Sequence, residues 1–466
     1  MESNIKEDLI LFNELIDVFL KDEQKNPVSN IVSTTELYEK LDFSLQEEPM
    51  ILPDYKNHLK NLILNTPKSS SKLFFNQLFG GRQSKAVLGD LLAVFLNNSM
   101  ATYKIAGAQV GVEKEIINKV CEIIGYGNKS GGTFPTGGSM SNFMSLIMAR
   151  DKKDTSIKDR GINQKLIAYG SKNAHYSLEK NISFSGIGKD NIRYIDTNNK
   201  GEIIAKELER QLKKDIDLGY YPFYLNATAG TTVMCAFDKI KELSDICKEH
   251  NVWLHVDGAF GGAVIFSNRH KALIEGVSES DSFCFNAHKT LGAPLSTSVL
   301  VVKNKKNLYN SFSNKATYLY QTHNEEFNLG QTSFECGRRN NALKFWTMWK
   351  AIGTKGIEKI VDSQFELADF ARKYVINNTN YQLYSFDESL SVCFNYKDID
   401  PKDLCTKLYE NNKLMIGYGS FNDDTFLRLV TINNQVSKKD IKDFFDILES
   451  FVSDNMGELK KTEINN

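Results

Sequence analysis

The 466-residue sequence carries no excess charge of either sign: 57 lysines and arginines balance 58 aspartates and glutamates, for a formal net charge of -1. Gripping a phosphate backbone takes clustered positive charge, so nucleic acid is not an expected partner. Cysteines are few and scattered. The seven, at positions 121, 235, 247, 284, 336, 393 and 405, form an odd set without a CxxC pair. That argues against a disulfide framework and against a zinc site, so no metal is expected and a reducing compartment is. Long apolar runs are missing too: none reaches the roughly 20 residues that cross a bilayer. The start, MESNIKEDLI, lacks the apolar stretch behind a basic beginning that marks a secretion signal. A cytoplasmic protein with no membrane partner is expected. Internal repeats and low-complexity tracts are absent as well, which excludes a solenoid.

What is present is apolar material for a large core, 41% of residues, over a length at which one core gives way to two or three packed parts. Residues 1–64 repeat apolar side chains at helical spacing (Leu9, Phe12, Leu15, Ile16, Phe19), predicting an N-terminal helical segment whose face must pack on something. Residues 65–350 begin with the helix-like LGDLLAVFLNNSMATYKIAGAQVGVEKEIINKVCEIIGYG. Short apolar runs follow: LIAYG (166–170), FYLNATAG (223–230), VWLHVDG (252–258), FCFNAHK (283–289) and STSVLVV (296–302). Helical stretches such as FDKIKELSDICKEHN separate them, which predicts a large α/β domain with a mostly parallel central sheet covered on both faces. Residues 351–466 restart with IEKIVDSQFELADFARKYVINN, then YQLYSF, LSVCFNY, FLRLVTI and KKDIKDFFDILESFVSDN, as in a small C-terminal α+β domain. The polar tail GELKKTEINN reads as frayed.

Polar and glycine-rich elements fall at the predicted strand ends, where open parallel sheets place ligands. In TFPTGGSMSNF, Gly137 and Gly138 let the backbone approach an anion, while Ser139 and Ser141 can cap the following helix and donate to phosphate at its positive end. A plain glycine turn with a serine cap reads the same way. Asp257 ends an apolar run and is followed by small residues that leave room for a flat ring. A buried carboxylate there needs a cation, such as a protonated pyridine nitrogen, although a helix cap or a metal ligand also uses aspartate. Lys289, in FNAHKTLGAPLS, lies beside another apolar run, where an ammonium sheds its proton more readily and becomes an imine-forming nucleophile. Most lysines are simply exposed. His175 follows LIAYG, where an imidazole can stack on a ring or serve the fold. None of these is diagnostic alone. In this order they provide an anion cradle, a ring face, electron-sink control and a covalent anchor, the requirements of pyridoxal 5'-phosphate.

The stretch from Phe74 to about Gly353 resembles the group II pyridoxal-phosphate decarboxylases, in the branch of glutamate decarboxylase and cysteine sulfinate decarboxylase. The resemblance is carried by FFNQLFGG, MATYKIA, TFPTGGSMSNF, NAHYSLEK, ATAGTTVMCAFD, HVDGAFGG, NAHKTLGAPLSTS, YLYQ, CGRRNNALKFWTMWKAIGTKG and the distal FLRLV. It implies the pyridoxal-phosphate-dependent transferase fold (fold type I) and a homodimer with active sites at the subunit interface. It also implies that Lys289 is the Schiff-base lysine, that Asp257 partners the pyridine nitrogen and that His175 stacks on the ring. Gly138, Ser139, Asn286 and His288 match positions around the phosphate and cofactor, and Thr228 matches a threonine close to it. Tyr318, in ATYLYQ, matches a mobile-loop tyrosine that donates a proton. Arg428, in FLRLV, matches the arginine that holds the substrate carboxylate, and Gln77 falls in the segment that reaches the substrate side chain.

The reaction implied is α-decarboxylation of an acidic L-amino acid: glutamate to 4-aminobutanoate, aspartate to β-alanine, or cysteine sulfinate to hypotaurine. Decarboxylation of an aromatic L-amino acid is the alternative the same machinery serves. The sequence also departs from the family. Ala287 replaces the proline common before His-Lys, Phe260 replaces a tryptophan, Ser296 and Thr297 replace glutamine and cysteine, and the loop between YLYQ and CGRR is short. Phe79 stands where glutamate decarboxylases carry serine and the sulfinate enzymes carry phenylalanine, which favours a shorter substrate.

Overall fold

The computed structural model describes residues 4–26, 28, 31–314, 316, 318–320 and 324–461. The loop after YLYQ and the tail therefore lie partly outside the described residues. Seven strands, β1 (Gly131–Thr133), β2 (Leu166–Ser171), β3 (Ile192–Ile195), β4 (Tyr221–Thr228), β5 (Trp253–Gly258), β6 (Ser282–Asn286) and β7 (Ser298–Val302), form one sheet in the order β1-β7-β6-β5-β4-β2-β3. The five strands from β3 across to β6 are parallel, whereas β7 runs antiparallel to β6 and β1 antiparallel to β7. This is the mostly parallel α/β sheet the apolar runs predict. Strands β2, β5, β6 and β7 are buried along their whole length because helices cover both faces.

One side of the sheet packs on the helix Gln109–Ile124 and the start of Ala342–Ile376, through Ile116, Val120, Phe345 and Met348. The other packs on Gly138–Lys153, through Met144, Leu146 and Met148. A second sheet, β8 (Tyr381–Leu383), β9 (Ser391–Tyr396), β10 (Gly417–Phe421) and β11 (Asp424–Val430), is antiparallel in the order β10-β11-β9-β8. Its own apolar cluster joins Val392, Phe394 and Leu427 to Phe444, Phe445 and Leu448 of the last helix, Lys438–Asn455. That helix opens on a capping box made by Ser437 and Asp440. Helix Ala342–Ile376 spans the two clusters and is kinked at Gly353, whose φ of 66° is outside helical space.

The single long helical reading of residues 88–127 is broken in the structure. Helices Ser84–Leu96, Tyr103–Ala106 and Gln109–Ile124 replace it, the first ending on Asn97 in the left-handed region. Strands β1, β3 and β10 were not legible as apolar runs, being short or, in β10, glycine-rich. Among the described residues no helix is long and apolar enough to cross a membrane.

Candidate active site

A cavity of about 210 Å³ opens at the carboxyl ends of β4, β5 and β6, facing the first turn of helix Gly138–Lys153. It is lined by Gly138, Ser139, His175, Thr228, Asp257, Asn286, His288 and Lys289, so eight of the residues singled out in the sequence share one wall. Chain topology explains the convergence: parallel strands deliver their following loops to the same edge. Asn142, Tyr176, Gly230, Thr232 and Ala259 line the cavity as well and were not singled out. For Asn142 a signal existed, since it sits one turn after Gly138 on the same helix face.

Asp257 is 4% exposed. Its Oδ2 accepts from Asn142 Nδ2 at 2.6 Å and its Oδ1 from the Ala259 amide at 3.0 Å. Burial pulls the Lys289 ammonium below its ordinary value, opposed by the nearby Asp257 charge. Burial also lowers His175, whose Nδ1 accepts from the Ser177 amide at 3.2 Å, so the ring is neutral with its hydrogen on Nε2. Tyr176 lies against it at 4.2 Å between centroids. His288 is pulled down to about 4, first by burial and then by Lys289; its Nδ1 accepts from the Thr297 amide at 2.9 Å, which leaves Nε2–H as a donor.

Neither Ser139 nor Ser141 is the helix cap expected of them, and Ser141 also departs from its expectation as a phosphate donor. The cap is Gly137, and the Ser141 hydroxyl is buried, pairing with Ser298 Oγ at 2.8 Å and Gly137 O at 3.3 Å. Four further candidates lie outside the cavity lining. Tyr318 is 81% exposed. Gln77 is exposed, and half-buried Phe79 sits edge-on to Phe74 at 5.8 Å. Arg428 spends Nη1 on Thr232 O at 2.7 Å and Nη2 on Asn76 O at 3.0 Å, leaving a buried Nε without a partner among the described residues. It thus stands directly behind the cavity wall at Thr232.

An amine, a carboxylate, a neutral imidazole and a helix amino terminus gathered at strand ends define the class of fold type I pyridoxal-phosphate enzymes. A family model, the pyridoxal-dependent decarboxylase conserved domain, matches residues 35–397, and the chain belongs to that family. Acidic amino acid decarboxylase GADL1 of Mus musculus is 33% identical over 414 residues, 83% of this chain and 74% of that protein. Cysteine sulfinic acid decarboxylase of Homo sapiens is 32% identical over 90% of both chains. The crystal structure of mouse CSAD superposes with a TM-score of 0.91 at 29% identity, covering 96% of this chain and 99% of that one. The protein is a pyridoxal-phosphate-dependent amino acid decarboxylase.

The residues present fit that cofactor. Thr228 Oγ1 and Asn286 Oδ1 are buried in the cavity wall with no hydrogen-bond partner among the described residues. A β-carbon at Gly138 would fall 2.9 Å from Ala259 Cβ and 3.0 Å from Asn286 Nδ2, so only glycine keeps this helix start open beside Asn286.

Proposed function

We propose that the chain α-decarboxylates an acidic L-amino acid, with Lys289 as the lysine that carries the cofactor. The observation that supports this most is the shared cavity of Lys289 and Asp257, an amine and a carboxylate held by two N–H donors at neighbouring strand ends. Pyridoxal phosphate supplies an aldehyde for the substrate amine and a cationic ring that draws in the electron pair left when carbon dioxide departs. Asp257 would hold the ring nitrogen protonated. His175, in the same cavity wall, would face the ring. Gly138 and Ser139 would offer the helix start to the phosphate, Asn286 and His288 would add side-chain donors, and Thr228 would meet the cofactor. Lys289, its proton loosened by burial, would hold the cofactor through its amine. Tyr318, at the position of the family's proton donor, would return a proton to Cα.

The acidic substrate class is supported by the names of the relatives and by the half-buried Arg428 behind Thr232, with Gln77 and Phe79 shaping the side-chain end. Glutamate, aspartate and cysteine sulfinate are the candidates, and the bulk of Phe79 favours the shorter two. A homodimer with active sites at its interface is part of this reading. Apolar side chains left exposed on helices Ile5–Lys25, Leu52–Leu64 and Ser84–Leu96, among them Ile10, Leu52 and Phe95, are suited to a second copy. So is a division into residues 1–64, 65–350 and 351–466, and a cytoplasmic location. Carbon dioxide release from glutamate, aspartate, cysteine sulfinate and the aromatic amino acids tests the function: turnover of one of the first three is expected, and turnover of aromatic substrates alone would overturn it.

A further inference from the structure

Behind Asp257 runs a line of buried polar side chains that the reaction above does not use. Asn142 gives one amide hydrogen to Asp257 Oδ2 at 2.6 Å and the other to Ser177 Oγ at 3.1 Å, so its Nδ2 is fully spent. Its Oδ1 lies 3.0 Å from His255 Nε2. His255 precedes Asp257 by two residues on β5 and therefore shares its face of the sheet. His255 Nδ1 is 2.9 Å from Ser282 Oγ, which also accepts from Trp253 Nε1 at 2.9 Å and meets Ser145 Oγ at 2.8 Å. His255, Ser282 and Ser145 are wholly buried.

The chemistry of these atoms assigns the protons. An amide oxygen only accepts, so His255 carries its hydrogen on Nε2 and takes one at Nδ1 from the Ser282 hydroxyl. Burial, which lowers His255 to about 4, keeps the ring neutral. Turning the amide over and moving the ring proton to Nδ1 would set Asn142 Oδ1 against Asp257 Oδ2 at the same 2.6 Å. Two oxygens at that separation need a hydrogen between them, which only a protonated Asp257 supplies. One arrangement of the network thus accepts the carboxylate and the other accepts the neutral acid.

We propose that Asn142 and His255 are positioning residues for Asp257: the Nε2–H form of His255 orients the Asn142 amide so that its Nδ2 hydrogen holds Asp257 as an anion, aimed at the cofactor's ring nitrogen. The inference rests on the reading of Asp257 as the partner of that nitrogen. Without the Nδ2 donor an enclosed carboxylate is better off protonated, and the ring nitrogen loses the counter-charge that holds its proton.

The test is the pH dependence of the ring-nitrogen chemical shift in holoenzyme reconstituted with nitrogen-15-labelled pyridoxal phosphate. The wild type and His255→Gln, whose amide can still donate to Asn142, keep the ring proton together. Asn142→Ala and His255→Leu lose it with proton affinity lowered at least about tenfold, a shift of about one pH unit, and Asp257→Ala lowers it too. If Asn142→Ala and His255→Leu track the wild type while Asp257→Ala does not, the inference is overturned. If Asp257→Ala also tracks the wild type, the reading of Asp257 itself fails and takes the inference with it. The two network variants lie on different elements, so each carries the test should the other fail to fold.

Discussion

A β-carbon on Gly80 would fall 2.0 Å from the carbonyl oxygen of Lys289 and 2.7 Å from the amide nitrogen of Gly292. The segment FFNQLFGG therefore lies directly against the turn that presents Lys289. It is anchored from the other side, because the Phe75 amide donates to Met415 O at 2.7 Å and Arg428 donates to Asn76 O. Gly80→Ala has only backbone to displace. A cost at the upper end of the about 1–3 kcal/mol of ordinary overpacking is expected, with at least tenfold weaker cofactor binding in a visible-absorbance titration. Wild-type binding would show that the two segments move independently.

Lys289→Ala is expected to abolish both turnover and the pyridoxyl label trapped by borohydride. Mass mapping of the labelled peptide decides the assignment, and a label retained on another lysine would reject Lys289 as the anchor.

For Arg428→Met a large rise in KM for the acidic substrate is expected. The same guanidinium also ties the carbonyls of Thr232 and Asn76, so the cavity wall loosens with it. Arg428→Lys separates the two roles: it keeps the charge but lacks the planar fork that serves two carbonyls at once. Unchanged kinetics in both variants would remove Arg428 from the substrate site.

Phe79→Ser is expected to raise kcat/KM for glutamate relative to aspartate by about tenfold, the scale on which one or two carbons of pocket space discriminate substrates. Competition between the two amino acids in one reaction measures the ratio directly. A ratio that stays put would place the selectivity elsewhere.

Acid should destabilise the apoenzyme through its buried imidazoles. His255 and His288 are each lowered by burial to about 4, from 6.5. The unfolded chain therefore takes up these protons first as pH falls. The stabilisation is fully present above about 6.5 and is lost on acidification toward about 4, by up to about 1.4 kcal/mol per pH unit for each histidine. Urea unfolding across that range should show a shallower fall for His255→Gln than for the wild type, and parallel curves would contradict the assignment of a neutral His255.

The central strands were legible because burial on both faces makes a parallel strand a continuous apolar run, as LIAYG and FCFN show. Asp257 and Lys289 could be read as strand-end residues for the same reason: each is the polar stop to such a run. Strand direction was not legible. STSVLVV reads like its neighbours, yet β7 reverses against β6, since an apolar run carries no sign of orientation. Ser139 and Ser141 looked equivalent in SMSNF, but helical rotation turns one to the cavity and buries the other against Ser298.

Sequence by itself determined the family, the layered α/β architecture and the roster of strand-end side chains, because local pattern and turn chemistry are written in neighbouring residues. Tertiary structure alone decided that Gly80 abuts the Lys289 turn, that Arg428 stands behind Thr232, and that Asn142, His255 and Ser282 form one line to Asp257. Those relationships join residues 27 to 209 positions apart, and only the packing of the two sheets and their helices sets the distances between them.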